Sequence, residues 1–387
     1  MTRPPLRLGI GDVAGALADL GVLVPLAAAL ILVNGLDPGS VLLGAGALVV
    51  ASGLVFRIPF PVQPLKALTA VAVAQGVAPD VIHAAGLEIG AILLVLSIGR
   101  VADTIARVFT RPVIRALQFG VGVLLIVTAI QLAVDPPRVF RGTLRSPWPM
   151  LLAIAAFIAL VWAVTLRHHG LAVTILVAGV IAASLLAGPE LASPSITMPS
   201  VGLPSLAAFG SAFLLLVVPQ IPLTFGNAVV AVSDLAHEYF GPAARRVTPA
   251  RVCLSCGLGN VASALVGGMP MCHGAGGLTA HVRLGARTAA MNVMLGTALL
   301  TLGLLFAPQV TTLLGLLPAW GLATFLAYAG LRHAMLVVDL RGASLAIGLG
   351  TGLAGAMLGN LAVTAGAALA FDHTRRILTN VRSRVAR

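Results

Sequence analysis

Apolar runs of roughly 18 to 25 residues recur along almost the whole chain, and short stretches rich in arginine, glycine and proline separate them. A helix of this length crosses the hydrocarbon core of a bilayer, where every backbone polar group must find a partner within the protein. Charged residues make up only 9% of the 387 residues, whereas about 25% is usual in soluble domains. We therefore predict an all-α membrane protein with no separate soluble domain.

The runs predict about fourteen transmembrane segments, of which the third and the tenth are short. Their approximate limits are 11–33, 41–56, 64–75, 81–98, 113–134, 148–166, 171–187, 205–235, 252–266, 274–282, 288–306, 310–317, 321–338 and 344–371. A linker-like stretch, 188–204, divides the chain into two halves, 1–190 and 200–387. Because seven crossings is an odd number, the second half must enter the membrane in the opposite orientation. The prediction is therefore two inverted seven-helix repeats.

The basic residues fit a membrane topology better than a nucleic-acid partner. The formal net charge is +12, but the arginines lie between the apolar runs. With both termini in the cytoplasm, most of them fall on the cytoplasmic side, as the positive-inside rule requires. The loop 135–147 places arginines on the other side, against this rule. We expect a multi-pass protein of the bacterial cytoplasmic (inner) membrane, in contact with lipid, with no nucleic-acid partner.

A proline-rich break interrupts the third run between Pro59 and Thr69. Proline lacks an N–H and biases the preceding residue toward extended backbone, so this stretch is predicted to be extended as far as Pro64 and helical after it. The break carries Lys66, the only lysine of the chain. The helix macrodipole opposes a lysine at an N-terminus, which indicates an anion nearby. The alternative is that Lys66 extends to the cytoplasm and anchors the topology.

A second break, from Gly267 to Gly277, occupies the corresponding place in the second half. The third and tenth helices are thus predicted to be discontinuous. The first would begin near the midplane, because seven extended residues after Arg57 reach about 23 Å into a core about 30 Å thick. In an inverted repeat the two N-termini face each other, and each offers unpaired N–H groups and about half a positive charge. This predicts an anion site without a metal or a cofactor.

Residues on both sides of the predicted site are candidates for binding the substrate. They are Gln63, Pro64, Leu65 and Lys66 in the first half and His273, Gly274, Ala275 and Gly276 in the second. His273 either contacts the substrate or caps the second short helix. The glycines allow the backbone to approach a ligand closely, although small residues also serve helix packing.

The eighth crossing adds three polar candidates on about one helical face. Gln220, Thr224 and Asn227 follow each other at spacings of four and three residues. Their side chains can donate hydrogen bonds, which suits a tetrahedral oxyanion with four acceptor oxygens. The alternative is that they only bond between helices.

Two acidic residues lie inside predicted spans and are candidates for a coupling ion such as a proton. Intramembrane carboxylates are costly and are therefore functional candidates. Asp19, in the first span, could instead neutralise Lys66 or cap a helix break. Glu88, in the fourth, could instead pair with an arginine.

The three cysteines allow one further interpretation. Cys253, Cys256 and Cys272, with His273, could form a tetrahedral zinc or copper site. A spacing of three residues is common in helices, and cysteine is often a small apolar residue in such spans. We therefore expect no metal and no cofactor.

Four segments carry a resemblance to a known family. The stretches 18–25, 61–69, 219–230 and 269–288 resemble the molybdate transporter family of bacteria, algae and plants, and the PVQPLKA and MPMCHGAGGL sequences are specific. The resemblance runs through nearly the whole chain in matching order. More distantly, the chain is similar to sulfate permeases and nucleobase permeases.

The resemblance implies two inverted seven-helix repeats, with a core at about 9–110 and 205–306 and a gate at about 112–188 and 310–371. It implies a secondary active transporter that imports molybdate, with possible proton symport and a possible homodimer. Sulfate, tungstate or a nucleobase are the alternative substrates. An anion channel or a membrane-bound metal sensor is an alternative of a different class. We expect no enzymatic activity, because the sequence has no nucleophile–base or cofactor constellation.

Overall fold

The computed structural model describes residues 8–98, 110–135, 196, 198–199, 201–316 and 319–385. The predicted sixth and seventh crossings, the loop 136–147 and most of the linker 188–204 lie outside this part. The first gate segment, 112–188, is therefore described only as far as Asp135.

The described part is almost entirely helical. In chain order its elements are α1 (Ile10–Leu32), α2 (Pro38–Phe56), β1 (Gln63–Pro64), α3 (Lys66–Gln75), α4 (Pro79–Leu96), α5 (Arg111–Val134), α6 (Leu206–Arg246), α7 (Pro249–Leu265), β2 (Met271–Cys272), α8 (Ala275–Arg283), α9 (Ala290–Leu305), α10 (Ala307–Leu316), α11 (Ala319–Ala334), α12 (Gly342–Met357) and α13 (Leu361–Val385). A 3₁₀ turn, Met335–Asp339, follows α11.

Several of these helices are long and apolar enough to cross a membrane. Among the described residues, five candidate spans have this length and composition: Pro38–Phe56, Pro79–Leu96, Arg111–Val134, Leu206–Arg246 and Leu322–Asp339. Shorter apolar helices occur at Val22–Leu32, Ala290–Leu305 and Gly342–Met357. The prediction of an apolar helical membrane protein is confirmed at this level.

Proline and short polar side chains set the helix starts. Helices α2, α4 and α7 each have proline in the first turn, where its missing N–H removes no helical bond. At α2 the Asp37 side chain accepts a hydrogen bond from the Ser40 N–H, and at α7 Thr248 accepts one from Arg251. These caps satisfy N–H groups that the helix leaves unpaired.

Both predicted breaks are present, and they pair with each other. Strands β1 and β2 are antiparallel, with Gln63 opposite Cys272 and Pro64 opposite Met271. The short helix α3 follows β1, and α8 follows β2. The prediction of an extended stretch that becomes a short helix is therefore correct in both halves.

The two halves exchange equivalent contacts. Helix α2 of the first half packs on α9 of the second, and α4 packs on α7. Glycines allow the closest approach: a methyl group on Gly46 would lie 2.8 Å from the Gly296 carbonyl oxygen, and one on Gly296 would lie 2.7 Å from that of Gly46. The two helix pairs are equivalent if the halves are related by a two-fold axis, and small residues at a crossing are typical of membrane helices.

The described helices form two groups. Helices α1–α4 and α6–α9 make up the first group, and α5, α11, α12 and α13 make up the second, which packs mainly within itself. Here Gly122 of α5 and Gly330 of α11 approach each other in the same reciprocal way. Helix α5 also contacts α3 and α6, so the two groups of helices meet beside the first short helix.

The last third of the chain differs from the predicted segments. The predicted span 344–371 is two helices, α12 and α13, separated at Gly359, whose φ of 62° favours glycine. Helix α13 continues beyond 371 to Val385. The predicted crossing 310–317 is α10, whose ten residues would extend about 15 Å. A helix of that length cannot span the hydrocarbon core, so the limits assigned to the segments here were wrong, and their number stays a prediction.

Helix α6 is irregular where it carries the polar candidates. Two π-helical segments, Phe213–Val217 and Thr224–Ala231, flank a segment containing Pro219 and Pro222. Proline cannot donate to the helical ladder, and π-helical turns are frequent where function requires side chains in unusual directions.

Candidate functional site

The N-termini of the two short helices lack side-chain caps from their own N-cap residues. The N-cap of α3 is Leu65 and that of α8 is Gly274, and neither provides a side-chain hydrogen bond. The N–H groups of Ala275 and Gly276 in α8 have no hydrogen-bond partner among the described residues. These are donors of the kind that an anion uses.

The strand pair holds the two termini close together. The Leu65 N–H donates to the Pro270 carbonyl at 3.0 Å, which extends the pairing beyond β1. A methyl group on Gly274 would lie 2.8 Å from Gln63 Oε1 and 3.2 Å from Lys66 Nζ. The start of α8 therefore lies against the side chains at the start of α3.

Lys66 lies between the two termini and lines a cavity. Its Nζ donates to Gln63 Oε1 at 2.8 Å. The ion pairs found among the described residues are those of Asp339 with Arg111 and Arg115, so Lys66 has no carboxylate partner in this part of the chain. An ammonium group in this position adds one full positive charge to the partial positive charges of the two helix N-termini.

The cavity lies where the two groups of helices meet. Its lining residues come from α3, α5, α6, α11 and β2: Lys66, Gln118, Gln220, Leu223, Asn227, Cys272 and His333. Its volume is about 10 Å³, which is close to the least that can hold one water molecule. A tetrahedral oxyanion therefore needs side chains to withdraw before it can enter.

Gln220 occupies the N-terminus of α3. Its Oε1 accepts hydrogen bonds from the N–H groups of Ala67 and Leu68, each at 3.0 Å. Its Nε2 donates to Thr224 Oγ1 at 3.1 Å. The side chain is almost fully buried, at 2% exposure. Of the three polar candidates of α6, Gln220 and Thr224 thus form a buried pair, and Asn227 lines the cavity together with Gln220.

Two buried asparagines form hydrogen bonds with the N–H and carbonyl groups of the extended backbone. Asn292 of α9 donates from Nδ2 to the Phe60 carbonyl at 2.6 Å and accepts from the Phe60 N–H at 2.9 Å. Asn260 of α7 does the same for Met271, with both distances at 2.7 Å. Irregular backbone at membrane depth requires such partners, because lipid provides none.

His273 is fully buried beside the strand pair. Its Nδ1 lies 2.8 Å from the Pro61 carbonyl oxygen, and its Nε2 lies 2.9 Å from Ser255 Oγ. The ring also packs against Phe56 and Phe60. Both nitrogens therefore have protein partners, and the substrate contact considered for His273 stays a prediction.

The two acidic candidates are placed differently. Glu88 lies in α4, half-buried, and its Oε2 is buried without a hydrogen-bond partner among the described residues. Asp19 lies within α1, but its side chain is outside the described part. The arginine partner considered for Glu88 is absent from the ion pairs of the described residues.

The cysteines are buried thiols. Cys253 and Cys256 are fully buried on α7, and Cys272 is 3% exposed on β2. Among the described residues, no three His, Cys, Asp or Glu side chains are grouped so that they could hold a metal ion. Cys272 instead contributes its thiol to the lining of the cavity.

Sequence reasoning missed several residues of this region. Gln118 and His333 line the cavity from the second group of helices, and Asn260 and Asn292 support the strand pair. Each is a polar residue within an apolar run, and that signal could have identified them. Their partners, however, are distant in sequence, as the separation of 232 residues between Phe60 and Asn292 illustrates.

Known proteins similar to this chain fall into two groups. A family model described as molybdate transporter of the MFS superfamily matches residues 11–125 and 212–333, more than half of the chain. Molybdate transporter 2 of Arabidopsis thaliana is 28% identical over 373 residues, covering 85% of this chain and 79% of that protein. Molybdate transporter 1 of Chlamydomonas reinhardtii is 30% identical, covering 87% of this chain and 85% of that protein.

Solved structures similar to this one include two anion transporters. The transmembrane domain of the cyanobacterial bicarbonate transporter BicA has a TM-score of 0.66 at 16% identity, covering 91% of this chain and 96% of that one. Murine Solute Carrier 26 family member A9 has a TM-score of 0.69 at 13% identity, covering 96% and 68%. At these identities the likeness shows a shared fold.

Proposed function

The chain belongs to the molybdate transporter family, and from that premise we propose that it is a secondary active transporter that imports molybdate across the bacterial cytoplasmic membrane. The observation that carries the proposal is the meeting of two half-helix N-termini beside Lys66, a residue that also lines a cavity. Two partial positive charges and one full charge suit a dianion, and backbone N–H groups supply directional donors.

The residues that we propose to form the binding site lie in four elements or at their N-caps: β1, α3, α6 and α8. In the first half they are Gln63, Pro64, Leu65 and Lys66, and in the second half they are Gly274, Ala275 and Gly276 at the start of α8 and Gln220, Thr224 and Asn227 on α6. Of the last three, Asn227 is proposed to donate to the substrate, whereas the buried pair of Gln220 and Thr224 borders the site. The N–H groups of Ala275 and Gly276, which have no partner within the described part of the chain, support this assignment most directly. His273 is retained as a neighbour that fixes β2 by its bond to Pro61.

Transport would proceed by movement of one group of helices against the other. The proposed core contains α1–α4 and α6–α9, and the proposed gate contains α5, the residues that follow α5 up to 188, and α10–α13. The exchanged contacts between α2 and α9 and between α4 and α7 support two inverted repeats within about fourteen crossings. We further propose that both termini are cytoplasmic and that the protein can form a homodimer.

Import of a dianion requires a driving force. An inward-negative potential opposes entry by about 2.3 kcal/mol per charge per 100 mV. Co-transport of protons would offset this cost, and Glu88 is the better supported carrier because one of its carboxylate oxygens is buried without a described partner. Asp19 is the second candidate carrier.

The substrate class follows from charge and shape. Molybdate, tungstate and sulfate are all tetrahedral dianions, so the last two are expected competitors. A nucleobase is less well matched, since α6 carries no acid before Asp234 that could accept its N–H groups.

The test is uptake of labelled molybdate into proteoliposomes, with sulfate as competitor. Lys66→Ala should weaken binding about 10- to 100-fold, since hydrogen bonds to charged groups contribute about 1.5–3 kcal/mol. Arg251→Ala, which removes an equal charge from an exposed position on α7, is the matched control and should leave uptake unchanged. Equal affinity in wild type and Lys66→Ala would remove Lys66 from the site.

A separate measurement tests whether molybdate uptake is coupled to the proton gradient. Collapse of the proton gradient should abolish accumulation of molybdate by the wild type, and Glu88→Gln should make uptake insensitive to that gradient. Accumulation that continues after the collapse would count against proton coupling.

A further inference from the structure

The backbone N–H groups at the N-termini of α3 and α8 are not equally available to an anion. At α8 the N–H groups of Ala275 and Gly276 have no partner among the described residues. At α3 the N–H groups of Ala67 and Leu68 both donate to Gln220. The first terminus therefore already holds an oxygen acceptor from the protein itself.

The acceptor must be the amide oxygen. Two backbone N–H donors converge on one atom of the Gln220 side chain, and only an oxygen can accept both. The other amide atom lies 3.1 Å from Thr224 Oγ1, a group that can accept a hydrogen bond from it. Thr224 thus holds the amide in the orientation that blocks the donors of α3.

The small volume of the cavity also indicates that Gln220 must move before a substrate can bind. Gln220 and Lys66 line the same cavity, which has a volume of about 10 Å³. This is close to the minimum for one water molecule, far below the need of a central atom with four oxygens. Withdrawal of Gln220 would both release two N–H donors and enlarge the cavity at the place where those donors point.

We propose that Gln220 is an internal competitor of the substrate: its amide oxygen occupies the N-terminus of α3 until a tetrahedral dianion displaces it. The inference rests on the proposed function and specifies how that site selects its substrate. A dianion forms stronger, charge-assisted bonds with the two N–H groups than a neutral amide does. Solutes with less charge do not displace the amide, so Gln220 sets a threshold of charge for occupancy.

The sign of one affinity change tests the proposal. The full-length protein is purified in detergent and titrated with molybdate by calorimetry. Gln220→Ala frees the donors and should bind molybdate at least about five-fold more tightly than wild type. A side chain that merely donates to the substrate, or merely stabilises α3, would give weaker binding on removal.

Two further variants sharpen the test. Gln220→Glu places a permanent carboxylate at the same donors, and molybdate binding should be lost at pH 7. Thr224→Val removes the anchor of the amide and should tighten binding about two- to three-fold, which provides the readout if Gln220→Ala does not fold. Gln131→Ala is the matched control, since Gln131 is an exposed glutamine near the C-terminal end of α5, and the affinity of this variant should equal that of wild type.

The possible failures are distinguishable. If wild type binds molybdate and both Gln220→Ala and Thr224→Val bind it equally or more weakly, this inference is overturned and the proposed function stands. If neither wild type nor any variant binds molybdate, the proposed function is overturned as well.

Discussion

Two buried asparagines make extended backbone tolerable inside this protein. Each side-chain amide donates a hydrogen bond to the carbonyl of one residue and accepts one from the N–H of the same residue. The partner of Asn292 is Phe60, and that of Asn260 is Met271. Neither has any exposed surface. At membrane depth these groups have no alternative partner, so each asparagine is a requirement of the strand pair.

Asn292→Ala should therefore lower the stability of the protein strongly. It leaves the Phe60 N–H and carbonyl unpaired, at a cost of about 1–3 kcal/mol for each group. The measurement is the apparent melting temperature in detergent. Asn360→Ala, which removes one hydrogen bond from the turn before α13, is the control and should cost about 1 kcal/mol or less. Equal melting temperatures for the two variants would contradict this role of Asn292.

At the level of elements, the strand pair and the first turn of α8 form one packed unit. A methyl group on Gly277 would lie 2.5 Å from Gln63 Nε2 and 2.7 Å from Pro61 Cβ. Gly276, one residue earlier, has no atom within 4 Å of the corresponding position. The two adjacent glycines thus provide a matched pair of sites.

Gly277→Ala should destabilise the protein by about 1–3 kcal/mol, because the ring of Pro61 cannot move away from the added methyl. Gly276→Ala should leave stability unchanged or raise it, since alanine favours a helix by about 1 kcal/mol over glycine. Melting temperatures of both variants check this. If Gly277→Ala is as stable as Gly276→Ala, α8 does not pack against β1 as described.

Some of these elements could be predicted from the sequence, and others could not. Proline and glycine have strong local effects on the backbone, so both breaks and both short helices could be predicted from the sequence alone. The separation of α12 from α13 at Gly359 was missed, because one glycine within a long apolar run is equally compatible with a continuous helix. The cap that Gln220 provides to α3 was also missed, since it joins residues 153 positions apart.

At the scale of the whole molecule, the cavity lies between two groups of helices that are expected to move. Gln118 reaches it from α5 and Cys272 reaches it from β2. If these groups move against each other during transport, a covalent link across the cavity should stop the cycle. Cys253 and Cys256 are fully buried, which leaves Cys272 as the native thiol on the cavity.

Gln118→Cys therefore supplies a partner for Cys272. A short bis-methanethiosulfonate, which forms a disulfide with each of the two thiols and releases methanesulfinate, should abolish molybdate uptake by this variant. A reducing agent cleaves both disulfides and should restore uptake. The same reagent on Gln118→Cys with Cys272→Ala should have much less effect, because no link can form. Full uptake by quantitatively cross-linked protein would show that the two groups need not move apart.

The central claim is that the N-termini of α3 and α8 hold a doubly negative substrate together with Lys66. The most direct measurement is an experimental structure with tungstate, whose heavy atom is located by its anomalous scattering. We predict one tungsten position between Lys66 and Ala275, with oxygens within hydrogen-bonding distance of Nζ and of the Gly276 N–H, and with Gln220 rotated away from Ala67. A tungsten atom bound elsewhere, with Gln220 still hydrogen-bonded to the N–H groups of Ala67 and Leu68, would contradict the account.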